Sequence, residues 1–239
     1  MHSDLDREIS EFFEQVLRIK DEIYSLLQGH EHFQRILLLS LLDALAQCAF
    51  PMEKGNKTRF VSLIDCYSHW QDKDRVSLLQ MRYLLAKKSC DPFTHLKEEV
   101  ERLIEKWPAS RILRSEEADP LVAELAKFDA DQCQKVINKC RYAAVLWDLR
   151  NFAVHEFRMP ESFGMDFGID NSTPYYHQAT GLSADGKAKE RTWELYFPNH
   201  VISQIVSSCS TNLRADFQVK VVNPWNNFTS SSRWAACDC

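Results

Sequence analysis

At 239 residues, 45% of them hydrophobic and 26% charged, the chain holds enough apolar material for one large domain or two small ones, which excludes an intrinsically disordered polypeptide. Its formal net charge of −5 excludes the all-over basic field of a general nucleic-acid binder, so any contact with a polyanion has to come from a local patch.

The opening segment MHSDLDREISEFFEQ has neither a basic start nor an unbroken apolar stretch, so no secretory signal is expected. The longest apolar run, residues 36–50, is interrupted by Asp43 and Gln47 and falls short of ~30 Å of hydrocarbon at ~1.5 Å per residue. The expectation is a cytoplasmic protein with no membrane span and with reduced cysteines. Of the eight cysteines, Cys48, Cys66, Cys133, Cys140 and Cys209 fall in helical patterns as small core residues. Cys133 and Cys140 can share a helix face, but no paired CxxC or neighbouring His completes a zinc site, and the terminal Cys237 and Cys239 read as part of a frayed tail. No metal is assigned, and GxGxxG, P-loop and GxSxG patterns are absent, so no cofactor is expected either.

In chain order, the first element is marked by Leu5, Ile9, Phe12, Val16, Ile19, Ile23 and Leu26, which alternate steps of four and three and predict an amphipathic helix stopped at Gly29. Such a seam suits packing within one bundle or a coiled-coil dimer. Residues 32–50 are apolar almost all round and predict a central helix closed by Pro51. Its polar line, Ser40, Asp43 and Gln47, either bonds to neighbouring helices or borders a site. Further helices are predicted near 58–70, 75–88, 92–106 and 119–128, separated by polar breaks, and then one long helix over 131–157 before Pro160. Residues 161–174 read as a loop. The segments 175–182 and 191–197, the latter with Trp193, Leu195 and Phe197 in alternation, predict a β-hairpin turning at Asp185 and Gly186. A last helix over 199–213 precedes a tail from Asn223 expected to be poorly ordered. The fold class is therefore mostly α. The expected division is a helical bundle over 1–160, an elaboration over 161–222 packed on it because a lone hairpin is marginal, and a tail over 223–239.

Late in the long helix stands Leu149-Arg150-Asn151-Phe152-Ala153-Val154-His155, an Arg and a His with four residues between them. This segment resembles the R-x4-6-H motif of HEPN proteins, commonly L-R-N-x-x-x-H near the end of a long helix, with Val154 standing where alanine is frequent. The resemblance covers residues 5–160 and leaves the hairpin and last helix as an addition. It implies a HEPN-like helical bundle, metal-independent endoribonuclease activity leaving a 2′,3′-cyclic phosphate and a 5′-hydroxyl, and catalytic roles for Arg150 and His155. Asn151 would orient one of the two or satisfy backbone groups. The residue types suit this chemistry: an imidazole titrating near ~6.5 takes a proton from a ribose 2′-hydroxyl at neutral pH, and a planar guanidinium holds the phosphate as charge builds on it.

On a straight helix, positions 150 and 155 lie about 140° apart, whereas Asp148, Asn151 and His155 fall on one stripe. Either Arg150 reaches round with its long side chain, or the helix distorts, or a second subunit completes the site. The resemblance implies the third, a homodimer with paired motifs. Residues 132–158 carry Lys135, Lys139, Arg141, Arg150 and Arg158 against Asp148 and Glu156. Arg141 and Arg158 are candidate RNA contacts, and Asp148 and Asp43 candidate supporting carboxylates. The same basic residues also complement a helix dipole, and a structural alternative bonds Arg150 to Asp43 or Asp148 with His155 capping the helix. The resemblance places such chains among bacterial toxins and antiviral defence effectors, with RNA and a cognate antitoxin or regulatory protein as partners. Two other readings stand beside it: a catalytically inactive HEPN-like module that binds RNA or protein, and a structural helical interaction protein built on the first helix.

Overall fold

The computed structural model describes residues 2–88, 91–108, 112–160, 162–164, 172–182 and 188–227. Among them nine α-helices and one three-stranded antiparallel sheet make a mostly-α chain. It divides into two compact units, Met1–Trp70 with Ile202–Cys239, and Gln71–Val201. This partition cuts across the expected boundary at residue 160, because the last helix is built into the unit of the first three and the remaining helices form their own core. No described helix is long and apolar enough to cross a membrane.

The first unit is made of α1 (His2–Leu26), α2 (Glu31–Ala49), α3 (Asn56–Tyr67) and the greater part of α9 (Asn199–Lys220). The steps of four and three put Ile9, Phe12, Val16 and Ile23 on one buried stripe of α1, while Leu26 at its end is 77% exposed. Phe13 stands edge-on to Phe217 of α9 at 5.9 Å. Polar bonds staple α9 in place: Tyr67 donates to Asp216 at 2.9 Å, Asn212 to the Tyr67 carbonyl at 2.8 Å and Lys20 to Ser207 at 3.0 Å. The predicted central position of α2 needs correction. Leu38, Leu39, Leu42 and Leu45 are buried, but Phe33 and Leu37 remain 55% and 43% exposed, so one side of the helix is left uncovered. Cys66, expected in the core, is exposed. The start of the tail is ordered, since Pro224–Asn227 forms a 3-10 turn, Trp225 meets Phe12 at 5.0 Å and Asn227 donates to the Cys48 carbonyl at 2.7 Å. Cys237 and Cys239 lie outside the described residues.

The second unit gathers α4 (Leu78–Ala86), α5 (Thr94–Ile104), β1 (Leu113–Arg114), α6 (Ser115–Ala118), α7 (Asp131–Cys140), α8 (Tyr142–Asn151), β2 (Tyr175–Leu182) and β3 (Ala188–Tyr196). Its core joins Leu78, Met81 and Leu85 of α4 to Leu96 and Val100 of α5 and to Val136 and Ile137 of α7. The hairpin forms as predicted, with Tyr175 opposite Tyr196 and Tyr176 opposite Leu195, and β1 adds a third strand through Leu113 and Tyr176. Its turn at Asp185 and Gly186 lies outside the described residues. Of the predicted loop, residues 162–164 run beside β3, where the Leu195 N–H donates to the Ser162 carbonyl at 2.8 Å and the Gly164 N–H to the Leu195 carbonyl at 3.0 Å. A Cβ on Gly164 would overlap the Tyr196 ring.

Two predicted helices are corrected here. The one expected over 119–128 is absent: Asp119 is extended (φ −114°, ψ 130°), as a residue preceding Pro120 is driven to be, and only a 3-10 turn follows at Val122–Leu125. Asp119 is buried and its carboxylate accepts from Tyr142 at 2.5 Å, Tyr176 at 2.6 Å and the Leu78 N–H at 3.0 Å. It thereby ties α8, β2 and the start of α4 together. Burial pushes its carboxyl up to about 7, against these three donors and the positive charge of Arg75, which all pull it down. The long helix over 131–157 is broken at Arg141, which is extended (φ −63°, ψ 138°). The reason lies in remote backbone partners: the Ser77 N–H donates to the Cys140 carbonyl at 2.9 Å and the Tyr142 N–H to the Arg75 carbonyl at 2.8 Å. A strand-like bridge is thus inserted between two helices.

Candidate active site

α8 is apolar on nearly every side, and Tyr142 to Trp147 are all buried together with Leu149. Arg150, in its last turn, is itself only 8% exposed. Two features make that burial tolerable. The Trp147 ring, one turn earlier, lies with its centroid 5.1 Å from the guanidinium carbon, a cation–π arrangement. The guanidinium also has polar acceptors, since Arg150 Nη1 donates to Asn151 Oδ1 at 3.2 Å and meets His155 Nε2 at 2.7 Å.

The last of these contacts joins two residues that would lie about 140° apart on a regular α-helix. Its origin is a change of helix type, because Phe152–Glu156 is a π turn. Hydrogen bonds from i to i+5 widen the ring by one residue, so residues five apart come into line as residues four apart do on an α-helix. The turn ends at Phe157, whose N–H bonds to the Phe152 carbonyl and whose backbone is left-handed (φ 52°, ψ 31°). For a residue with a Cβ this conformation is strained. Within the single chain the helix distorts, and Arg150 reaches His155.

A guanidinium has donors only, so in this contact Arg150 Nη1 donates and His155 Nε2 accepts. The His155 side is exposed whereas the Arg150 side is buried, which gives a pair with one anchored and one accessible member. The Nε2 lone pair is engaged by Arg150 in this contact, so the imidazole can take a proton from a substrate once an anionic group draws the guanidinium away.

The remaining candidates fall in three places. Asn151 touches Arg150 directly and orients its fork. Asp148 and Arg158 line a cavity of about 260 Å³ on another flank of the same helix. Arg158 forms a 2.7 Å ion pair with Glu156, and its guanidinium carbon sits 4.6 Å from the Phe152 ring centroid. Arg141 is placed at the break before α8, where it pairs with Asp74 at 2.9 Å. Asp43 belongs to the first unit, half-buried on α2. The stripe expected to align Asp148, Asn151 and His155 is broken by the π turn. Trp147 was not among the sequence candidates, although its position three residues before Arg150 is a signal for stacking. Among the described residues no group of three or more His, Cys, Asp or Glu side chains is disposed to hold a metal ion.

Comparison with protein-family models, with curated proteins and with solved structures finds no match to this chain.

Proposed function

We propose that this chain is a metal-independent endoribonuclease of HEPN type, with His155 as general base and Arg150 as the phosphate clamp. The observation that carries the reading is the 2.7 Å contact between Arg150 Nη1 and His155 Nε2 across a π turn, because it pairs the two residues the reaction needs and leaves the imidazole accessible. In this mechanism the substrate phosphate draws the Arg150 fork toward its non-bridging oxygens and frees the Nε2 lone pair. Nε2 takes the proton of the ribose 2′-hydroxyl, the 2′-oxygen bonds to phosphorus, and the bond from phosphorus to the 5′-oxygen breaks. The leaving 5′-oxygen takes a proton from water, His155 returns the proton it took to solvent, and the products are a 2′,3′-cyclic phosphate and a 5′-hydroxyl. Asn151 accepts from the guanidinium and keeps it beside the phosphate as it leaves Nε2. The same reading carries a homodimer with facing motifs, a cytoplasmic toxin or antiviral defence setting, and a cognate antitoxin or regulatory protein as partner.

The burial of Arg150 favours a second reading, in which the pair is a structural lock in an inactive RNA- or protein-binding module. One experiment separates the two. Purified wild type is expected to cleave RNA in EDTA, and His155→Ala and Arg150→Ala each to lose at least about 10²-fold in rate, roughly 2.7 kcal/mol of transition-state stabilisation. Wild type that cuts no RNA, or His155→Ala that cuts equally well, sinks the enzyme reading. A large fall in melting temperature for Arg150→Ala without any cleavage by the wild type supports the lock.

A further inference from the structure

The π turn closes at Phe157, a position just past a helix end where a left-handed backbone favours glycine. Phe157 holds that conformation (φ 52°, ψ 31°) while carrying an aromatic side chain, and the residue is 69% exposed. Neither the backbone nor the core accounts for a phenylalanine here, since the turn suits glycine and the ring adds little to the packing. Non-glycine residues held in such conformations cluster at functional sites. The surroundings narrow the function. Two residues of chain span at most ~7 Å, so the Cα of Phe157 lies within that distance of the Cα of His155, the accessible member of the candidate pair. His155, Glu156 and Arg158 are all exposed beside it. Arg158 pairs with Glu156 at 2.7 Å and stacks on Phe152. The centre of a protein–protein contact is depleted of charge, so a lone ring between an exposed carboxylate and an exposed guanidinium matches it poorly. A nucleobase matches better, because every base has a flat π face and brings its own phosphate to the neighbouring cations.

We propose that Phe157 is a stacking platform for one unpaired base of the RNA strand, next to the phosphate that Arg150 holds. The proposal rests on the ribonuclease reading above for its ligand, and on the exposed ring and its left-handed backbone for its place. Stacking uses the face of a base and none of its edges, so the platform accepts all four bases and adds affinity without sequence preference. The base has to be unpaired, because a duplex keeps base faces covered by their neighbours. Arg150 and His155 act on phosphate and sugar, whereas Phe157 holds the strand alike before and during the reaction. Its loss therefore raises KM and leaves kcat in place.

The test uses the full chain and a short 2′-O-methyl uridine oligomer, which has no 2′-hydroxyl to be cleaved, beside the same backbone without bases. Phe157→Ala is expected to bind the base-bearing strand at least about fivefold more weakly than wild type, the lower end for one aromatic stack, and the abasic strand equally well. Phe157→Trp should restore the affinity and Phe157→Leu should not, which separates a ring face from apolar bulk. Phe157→Gly should bind as weakly as Phe157→Ala and melt at a higher temperature than wild type, because glycine relieves the left-handed backbone. Equal affinity of wild type for the two strands, or unchanged affinity in Phe157→Ala, overturns the platform. A lower melting temperature in Phe157→Gly would make the ring a packing element and overturn it too. Light scattering in which Phe157→Ala loses mass relative to wild type would assign the ring to a contact between copies of the chain instead. Weaker binding by Phe157→Ala, when wild type cuts no unmodified RNA, would leave the platform standing and end the ribonuclease reading. Cleavage by Phe157→Ala with the KM and kcat of wild type would do the reverse.

Discussion

Helix α1 and the stretch from α7 to the π turn are about equally long, and both looked like single helices in the sequence, but only α1 is one. In α1 the apolar steps of four and three run unbroken and the buried residues follow them, Ile9, Phe12, Val16 and Ile23 among them. The second stretch is interrupted at Arg141 and widened at Phe152–Glu156. The difference is in what satisfies the backbone. Helix α1 satisfies its own N–H and C=O groups, whereas around Arg141 the partners come from Arg75 and Ser77, some 65 residues earlier in the chain. Side-chain periodicity therefore reports which face is buried, and stays silent where the backbone bonds elsewhere.

The largest effect expected from breaking this contrast is in the regular helix. Phe13 is fully buried, and Phe13→Ala should cost about 3–5 kcal/mol in urea unfolding followed by circular dichroism. A loss under about 1 kcal/mol would mean that the first unit does not depend on its apolar seam. Gly164→Ala in the second unit is expected to cost about 1–3 kcal/mol, since the added carbon meets the Tyr196 ring. An unchanged melting temperature would show that the strand-like segment 162–164 is free to move away from β3.

Asp119 sharpens the contrast through pH. Its folded carboxyl stands at about 7, above the ordinary value near ~4, so folding favours the neutral form. Its contribution is fully present below pH ~4 and is lost as pH rises through about 7. The wild type should lose melting temperature between pH 5 and pH 8 relative to Asp119→Asn, and parallel curves for the two proteins would remove the argument. The smallest effect is reserved for Arg141→Ala. Its pair with Asp74 is partly solvated, with side chains 18% and 47% exposed, so the change should stay below about 1 kcal/mol. The break itself should persist, because backbone bonds make it; amide exchange at Ser77 and Tyr142 should therefore be unaltered, and faster exchange there would assign the break to the side chain.

Much of this architecture could be read before folding. The hairpin was legible because Trp193, Leu195 and Phe197 alternate, and the helices because their apolar residues recur at helical spacing. The extended turn at Asp119 was legible too, through Pro120, but the apolar residues that follow suggested a helix. The break at Arg141 had no Gly or Pro to announce it. At the candidate site, the identity of Arg150, Asn151 and His155 came from the sequence, and the 140° mismatch on a straight helix already required a distortion, a long reach or a second subunit. Within the single chain the distortion comes from a hydrogen-bond pattern, which no residue spacing encodes. The cavity was out of reach for a similar reason, since Tyr83, Lys139, Asp148 and Phe163 come from separated segments.

The π turn also governs how the site tolerates changes in length. A ring closed from i to i+5 holds one residue more than an α-helical ring, and Arg150 and His155 meet because exactly that surplus lies between them. Removing one residue from the four would let the ring close as an α turn and leave the two side chains four apart, still neighbours. Everything beyond His155 would keep nearly the same place around the helix axis, because the surplus residue and the widening of the ring are lost together. A single deletion here is thus expected to be mild for the pair and for the aromatic segment that follows it, where the same deletion in a regular turn would rotate all that follows by about 100°.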